Sequence, residues 1–278
     1  MKNFVIQLKL MTKRKTFIIT LSAVMILSIL FFLLNCISKW NLDLNNVWAA
    51  KYYYLGSYFV GDVLSHIYTI IFPFVAVIPF ADTFFEEREK RTAEFCMARI
   101  SNRSYYFSKL FAVFCSGVII AAAPLLINML LNFIAFPLDS TATYTNFSYA
   151  YAGVFTNYAG KYVFKSLFLK NIYLYNLLHL SLAALFSGLA ATAVYQLSYF
   201  YKKSRIMLLC SFFIVYTFLE ILFGSFELDE FCASTYIFGA QPVVNQSARG
   251  MAVVFACMAA AAVLPALFAR KRINDFYE

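Results

Sequence analysis

From position 110 to position 136 the chain runs twenty-seven residues without one Asp, Glu, Lys or Arg. A helix needs about 20 apolar residues to cross a hydrocarbon core of roughly 30 Å, so this run is long enough to span and to tilt or extend beyond it. Five further segments, 17–37, 63–81, 172–197, 206–226 and 250–269, have the same character, and Glu220 is the one Asp, Glu, Lys or Arg among them. Strands of a membrane barrel would be shorter and would alternate, so helices are the expectation. The predicted fold class is therefore all-α, a polytopic membrane protein of six transmembrane helices. Composition agrees: 62% of the 278 residues are hydrophobic, against roughly half in soluble domains. With no internal repeat, low-complexity tract or flexible linker, residues 1–278 read as a single membrane domain.

A formal charge of +9 would suit nucleic acid if the basic residues formed one patch interleaved with aromatics, but they cluster at the ends of apolar runs. No nucleic-acid partner is expected. Seventeen of the twenty-three fall on one side: Lys2, Lys9, Lys13, Arg14 and Lys15; Arg88, Lys90, Arg91, Arg99, Arg103 and Lys109; Lys202, Lys203 and Arg205; Arg270, Lys271 and Arg272. Only Lys39, Lys51, Lys161, Lys165, Lys170 and Arg249 fall on the other. The positive-inside rule then predicts a multi-pass protein of the cell membrane with both termini cytoplasmic.

Before the first run, "MKNFVIQLKLMTKRK" sets Phe4, Leu8 and Met11 on one helical face, with Ile6 off it, among lysines. An amphipathic helix on the inner leaflet is the expectation. The run at 17–37 is too long for the apolar core of a signal peptide and no small-x-small site follows it, so it is read as a retained span. Outside, the 137–171 connection is rich in tyrosine and poor in charge, which fits an interfacial aromatic belt, a small packed subdomain or a sensing surface. The 227–248 connection, with three acids, Gly239 and Pro242, is expected to form short helices or a re-entrant turn.

Cys36, Cys96, Cys115, Cys210, Cys232 and Cys257 are scattered, and with two histidines they build no metal-ligand spacing. They read as small apolar fillers; Cys36 and Cys232 alone fall on the same outer side, and their pairing is left open. Inside the runs, Glu220 is expensive in hydrocarbon and reads either as functional or as hydrogen-bonded near the outer boundary. His179 reads as a helix-packing residue or a proton carrier, and Asp62 and His66 stand four apart, close enough to pair. Ser187, Gly188, Ala191 and Ala193 suit close helix approach, and Pro73, Pro79, Pro124 and Pro265 permit kinks.

The most charged stretch is "FFEEREKRTAEFCMARISNRSYYFSKLF", residues 84–111, on the predicted cytoplasmic side. Glu86 stands four before Lys90 and Glu87 four before Arg91, the favourable order for intrahelical pairs worth a few tenths of a kcal/mol each. Phe84, Phe85, Phe95, Cys96 and Met97 flank these charges and must find cover in the membrane interface or a partner.

This stretch resembles the segment after the second span of ABC type-2 permeases, the membrane subunits of ATP-binding-cassette exporters. There an acidic and basic run leads to T-x-E, then a short turn, then a helix opening with Tyr and Lys. The matching residues here are Glu87, Arg88, Glu89, Thr92, Glu94, Ile100, Ser101, Arg103, Tyr106 and Lys109. Where the family commonly carries Gly before the Thr, this chain carries Arg91, which leaves the geometry of that turn open. The resemblance implies a coupling helix at 82–109 that inserts into a cytoplasmic ABC ATPase, with a second permease copy in a homodimer or heterodimer. ATPase coupling would then involve Phe85, Glu86, Glu87, Arg88, Glu89, Arg91, Thr92, Glu94, Phe95 and Arg103. Their carboxylates would pair with arginines on the ATPase, and Phe85 and Phe95 would fill its apolar pockets.

On this reading the chain is no enzyme and binds no cofactor, with ATP and Mg held by the partner. Neither a P-loop nor the H-E-x-x-H pattern is present in the sequence. The cargo implied is a peptide, drug or lipid-like molecule. The alternative is a membrane scaffold or a transporter not driven by ATP that binds a cytoplasmic partner through 84–109.

Overall fold

The computed structural model describes residues 2–43, 46–56, 63–92, 101–139, 163–201, 203–238 and 246–274, backbone only at 102, 169 and 266–274. Among the described residues there are helices and no strand. In chain order these are α1 (Lys2–Lys13), α2 (Lys15–Lys39), α3 (Val63–Val77), α4 (Thr83–Glu89), α5 (Asn102–Ala135), α6 (Lys165–Lys170), α7 (Ile172–Leu197), α8 (Arg205–Ser225), α9 (Ser234–Ile237) and α10 (Ala248–Asn274). Five of them, α2, α5, α7, α8 and α10, are long and apolar enough to cross a membrane.

The run at 63–81 differs from the expectation of a full span. Within that run the described part of the helix covers fifteen residues, about 22 Å at the usual rise, and ends at Val77. Pro79, which lacks an amide hydrogen and crowds the preceding turn, explains the stop. The chain continues to Asp82 in turns tied by Ala81 N–H to the Val77 carbonyl at 3.3 Å.

The centre of the bundle is the α5–α7 seam. Gly117 makes it possible: a Cβ there would meet the Ser187 carbonyl oxygen at 2.4 Å, closer than real contacts allow. Across from it, a Cβ on Gly188 would meet the Phe114 ring at 2.6 Å, so the small residues expected on this helix do admit a close neighbour. Along α7, Ala183, Ala184, Ala190, Ala191 and Ala193 are buried beside them.

A polar ladder fastens α2 to α5. Ser28 Oγ donates to the Pro124 carbonyl at 2.7 Å, and Asn128 Nδ2 donates to the Ser28 carbonyl at 3.2 Å. Asn128 Oδ1 accepts from Leu55 N–H at 2.9 Å, and Asn132 Nδ2 donates to the Tyr53 carbonyl at 2.9 Å. Buried backbone groups of the loop after α2 are thereby satisfied, as they must be where water is scarce.

On α1 the shared face of Phe4, Leu8 and Met11 turns inward: Met11 is buried and the Phe4 ring lies 4.1 Å from that of Phe111 on α5. Val5, Ile6, Lys9, Leu10 and Lys13 are left outside. α8 is the opposite case, since Leu208 is the one residue of it buried, while Ile214, Val215, Phe218 and Ile221 are exposed. Hydrocarbon, not water, is the solvent such a surface fits.

The connection between α8 and α10 forms a 3₁₀ turn at Asp229–Phe231 and the short helix α9, as expected of short helices there. Cys36 and Cys232, whose pairing the sequence left open, are both free thiols. Most of the tyrosine-rich segment, 140–162, lies outside the described residues, as does Cys96.

Candidate functional site

Where α3 gives way to α4, the ends of four long helices are drawn onto one short one. Asp82 precedes α4 and has no exposed surface. Its carboxylate lies 2.9 Å from the guanidinium of Arg14, at the α1–α2 junction, and forms a second ion pair with Arg205, the first residue of α8. Arg14 also reaches Glu86 at 2.5 Å and lies 5.5 Å over the Phe80 ring. Pairing with two arginines offsets the cost of burying this carboxyl group, which one left alone would bear in full.

Glu86 completes this cluster. Besides Arg14 it takes Lys90 Nζ at 2.5 Å, the intrahelical pair read from the sequence. The hydrogen bond from Lys90 holds the Glu86 carboxyl below its ordinary range, partial burial pushes the other way, and the charge of Arg14 adds to the lowering.

The next residue, Glu87, points elsewhere. It was expected to pair with Arg91; instead it meets Lys109 of α5, and the Tyr105 hydroxyl donates to it as well. Lys109 is wholly buried and donates to the Tyr105 hydroxyl at 2.9 Å. Arg91 is unavailable to Glu87 because it has left the helix, with a φ of 56°.

That φ gives the turn a physical reading. Arg91 is the second residue beyond α4, where a left-handed conformation closes a helix end and Gly is normally found. Its N–H bonds the Arg88 carbonyl at 3.1 Å, and the Thr92 hydroxyl donates to the Glu87 carbonyl at 3.3 Å. A Thr after a left-handed residue thus has a capping role in this chain. Glu227, with the same φ, closes α8 similarly: its N–H reaches the Gly224 carbonyl at 3.2 Å and that of Leu228 the Phe223 carbonyl at 2.9 Å.

Arg88 binds the fourth helix end. Its guanidinium donates to the Ser198 carbonyl at 3.1 Å and the Tyr201 carbonyl at 2.8 Å, just past α7. Cations are favoured where a helix exposes its last carbonyls. The same group lies over the rings of Phe84 and Phe85, at 5.8 and 5.2 Å. Phe84 stacks on Tyr199 at 3.9 Å, and both phenylalanines are buried in the chain's own core. Phe85, expected to fill a pocket of a partner, has its ring covered by the chain itself in this arrangement. Glu86, Glu87 and Arg88 are likewise engaged within the chain.

What α4 leaves outside is its far turn. Glu89, Lys90, Arg91 and Thr92 are exposed, while Glu94 and Phe95 lie outside the described residues. At the start of α5, Ser101 caps by accepting from Ser104 N–H, and Arg103 is exposed 5.9 Å over the Phe107 ring. Tyr106 accepts from Gln196 at 2.5 Å and so joins α5 to α7.

The polar residues expected within the runs take their places at the opposite end. Glu220 accepts from Ser234 N–H at 3.0 Å and from the Ser234 hydroxyl at 2.6 Å, holding the loop before α9 against α8. His179 is buried, and its Nδ1 lies 2.8 Å from the Tyr236 carbonyl, which requires Nδ1 to carry the proton. His66 lies on the exposed side of α3; Asp62, its expected partner, falls outside the described residues. Among the described residues no group of His, Cys, Asp and Glu is placed to hold a metal ion.

Sequence reasoning missed Asp82, Arg14 and Arg205 as a unit. The one signal was position: Asp82 is the first charge after the uncharged run 63–81, an acid at a boundary otherwise marked by bases. Compared with family models, with curated proteins and with solved structures, the chain matches none.

Proposed function

We propose that the chain is the permease subunit of an ATP-binding-cassette exporter of the type-2 kind, with α4 and the residues after it as its coupling segment. In this reading α3 and the turns to Asp82 make the sixth crossing, and both termini are cytoplasmic. Two permease copies work with two ATPases that hold ATP and Mg. The cargo is a peptide, drug or lipid-like molecule.

The observation that carries this reading is the set of ties from α4: Asp82 and Glu86 to the start of α2, Asp82 to the start of α8, Glu87 to α5, and Arg88 to the end of α7. A force applied to the exposed turn Glu89–Thr92 reaches four long helices through charged contacts, without a flexible linker in between. Packed cores switch between arrangements and do not deform continuously, so such a node converts a partner's closure into movement of the spans. The surface offered to an ATPase is then narrower than the sequence suggested, the far turn alone and not the whole acidic run.

A photo-crosslinking residue at position 89, in native membranes, tests this. Capture of an ABC ATPase from that position, and not from position 40 at the opposite end, is the expected result. Capture of a protein without ATPase motifs would favour the scaffold reading, and capture of nothing would remove the coupling role.

A further inference from the structure

Between α8 and α10, floored by α7, lies a groove of about 580 Å³ whose walls are almost wholly apolar. Phe212, Tyr216 and Phe223 line it from α8, and Cys257 and Met258 from α10. From Ser211 to Phe223 it follows α8 over thirteen residues, roughly 18 Å. Glu220 is the one carboxyl side chain in the lining, which holds no Lys or Arg. Its two oxygens accept from Ser234, which orients the carboxylate but supplies no counter-charge.

We infer that this groove binds a lipophilic cation, an apolar body carrying one positive charge, with the charge at Glu220 and the body along α8 and α10. Size fits, since small-molecule sites of this kind occupy about 300–1,000 Å³ and pair apolar walls with few polar groups. Charge selects among the occupants an apolar groove admits. Among the described residues no cation is paired with Glu220, and the loop beyond α8 adds Glu227, Asp229 and Glu230 at the same end. An anionic amphiphile would be repelled there. A neutral chain, or the apolar helix of a second copy, would leave the acid without a counter-charge in a setting where that is costly. The inference requires the membrane setting of these helices and holds whether or not an ATPase drives the chain.

The test uses the full chain in lipid nanodiscs, with empty nanodiscs subtracted, and two probes of like shape and opposite charge, tetraphenylphosphonium and tetraphenylborate. The cation is expected to bind at least about tenfold more tightly than the anion. Glu220→Gln, which keeps the side chain's shape and an acceptor for Ser234, is expected to weaken the cation by about tenfold or more and to leave the anion no weaker. In the wild-type chain the cation is expected to slow maleimide modification of Cys257, an exposed thiol in the groove wall, followed by mass spectrometry of its peptide. Equal binding of the two ions, an indifferent Glu220→Gln variant or an unprotected Cys257 would each overturn the proposal. A Cys257 already unreactive without probe, together with no cation binding, would overturn it in favour of a second copy in the groove. Should the variant fail to fold, the two wild-type measurements decide.

Discussion

The ammonium of Lys109 lies wholly inside the protein, and its counter-charge is Glu87, twenty-two residues earlier and on another helix. A buried charge robbed of its partner costs about 3–5 kcal/mol, whereas replacing both partners by apolar groups is often neutral. Glu87→Gln is therefore expected to destabilise the chain by about 3 kcal/mol. Adding Lys109→Met should recover most of the loss. Thermal unfolding of the two single variants and the double variant in one detergent measures both effects.

Glu86 makes stability depend on pH in a fixed direction. Its folded carboxyl lies below the ordinary value near 4.5, chiefly through Lys90. The contribution is therefore fully present above the unfolded value and is lost as pH falls through the folded one. Wild type is expected to exceed Glu86→Gln in unfolding temperature at about pH 6, with the gap closing as pH falls below the ordinary carboxyl range. A gap that widens on acidification would contradict the pairing.

At Arg91 the left-handed backbone carries a side chain that would be easier without its Cβ. The strain relieved is about 1–2 kcal/mol, and the extra freedom Gly gives the unfolded chain takes back roughly 0.5–1. Arg91→Gly is expected to stabilise by about 0.5–1 kcal/mol, read as a rise in unfolding temperature.

The α5–α7 seam has no room at Gly117. Its added Cβ would strike backbone, not the tip of a flexible side chain. Gly117→Ala is expected to cost about 1–3 kcal/mol, the usual range for overpacking. Gly224→Ala, where nothing lies within 4 Å, is the control and should not lower the unfolding temperature.

Long apolar runs made the helices readable from composition and length alone, because hydrocarbon admits few other structures. Among the described residues five of the six expected runs form helices of spanning length, and the helix of the sixth ends at Val77 ahead of Pro79, which counting apolar residues does not register. The pair Glu86 with Lys90 was legible because spacing within one helix fixes it. Glu87 with Lys109, Asp82 with two arginines, and Arg88 with the end of α7 were not, because each joins residues distant in the chain. Cover for Phe84 and Phe85 was sought in the membrane interface or a partner, because apolar residues beside a charged run do not reveal that the chain's own core takes them in. Gly117, unremarked in the sequence, became informative once Ser187 was seen against it.

The central claim is that the far turn of α4 holds an ATPase, and one measurement addresses it most directly. The tagged chain is purified from native membranes as wild type, as the double variant Glu89→Arg with Thr92→Arg, and as Gly224→Ala, and the ATP hydrolysis that accompanies each is recorded. The account predicts that wild type and Gly224→Ala bring down an active ATPase, and that the double variant loses about tenfold or more of it while still eluting as a folded protein. An ATPase retained undiminished by the double variant, or none accompanying the wild type, would contradict it.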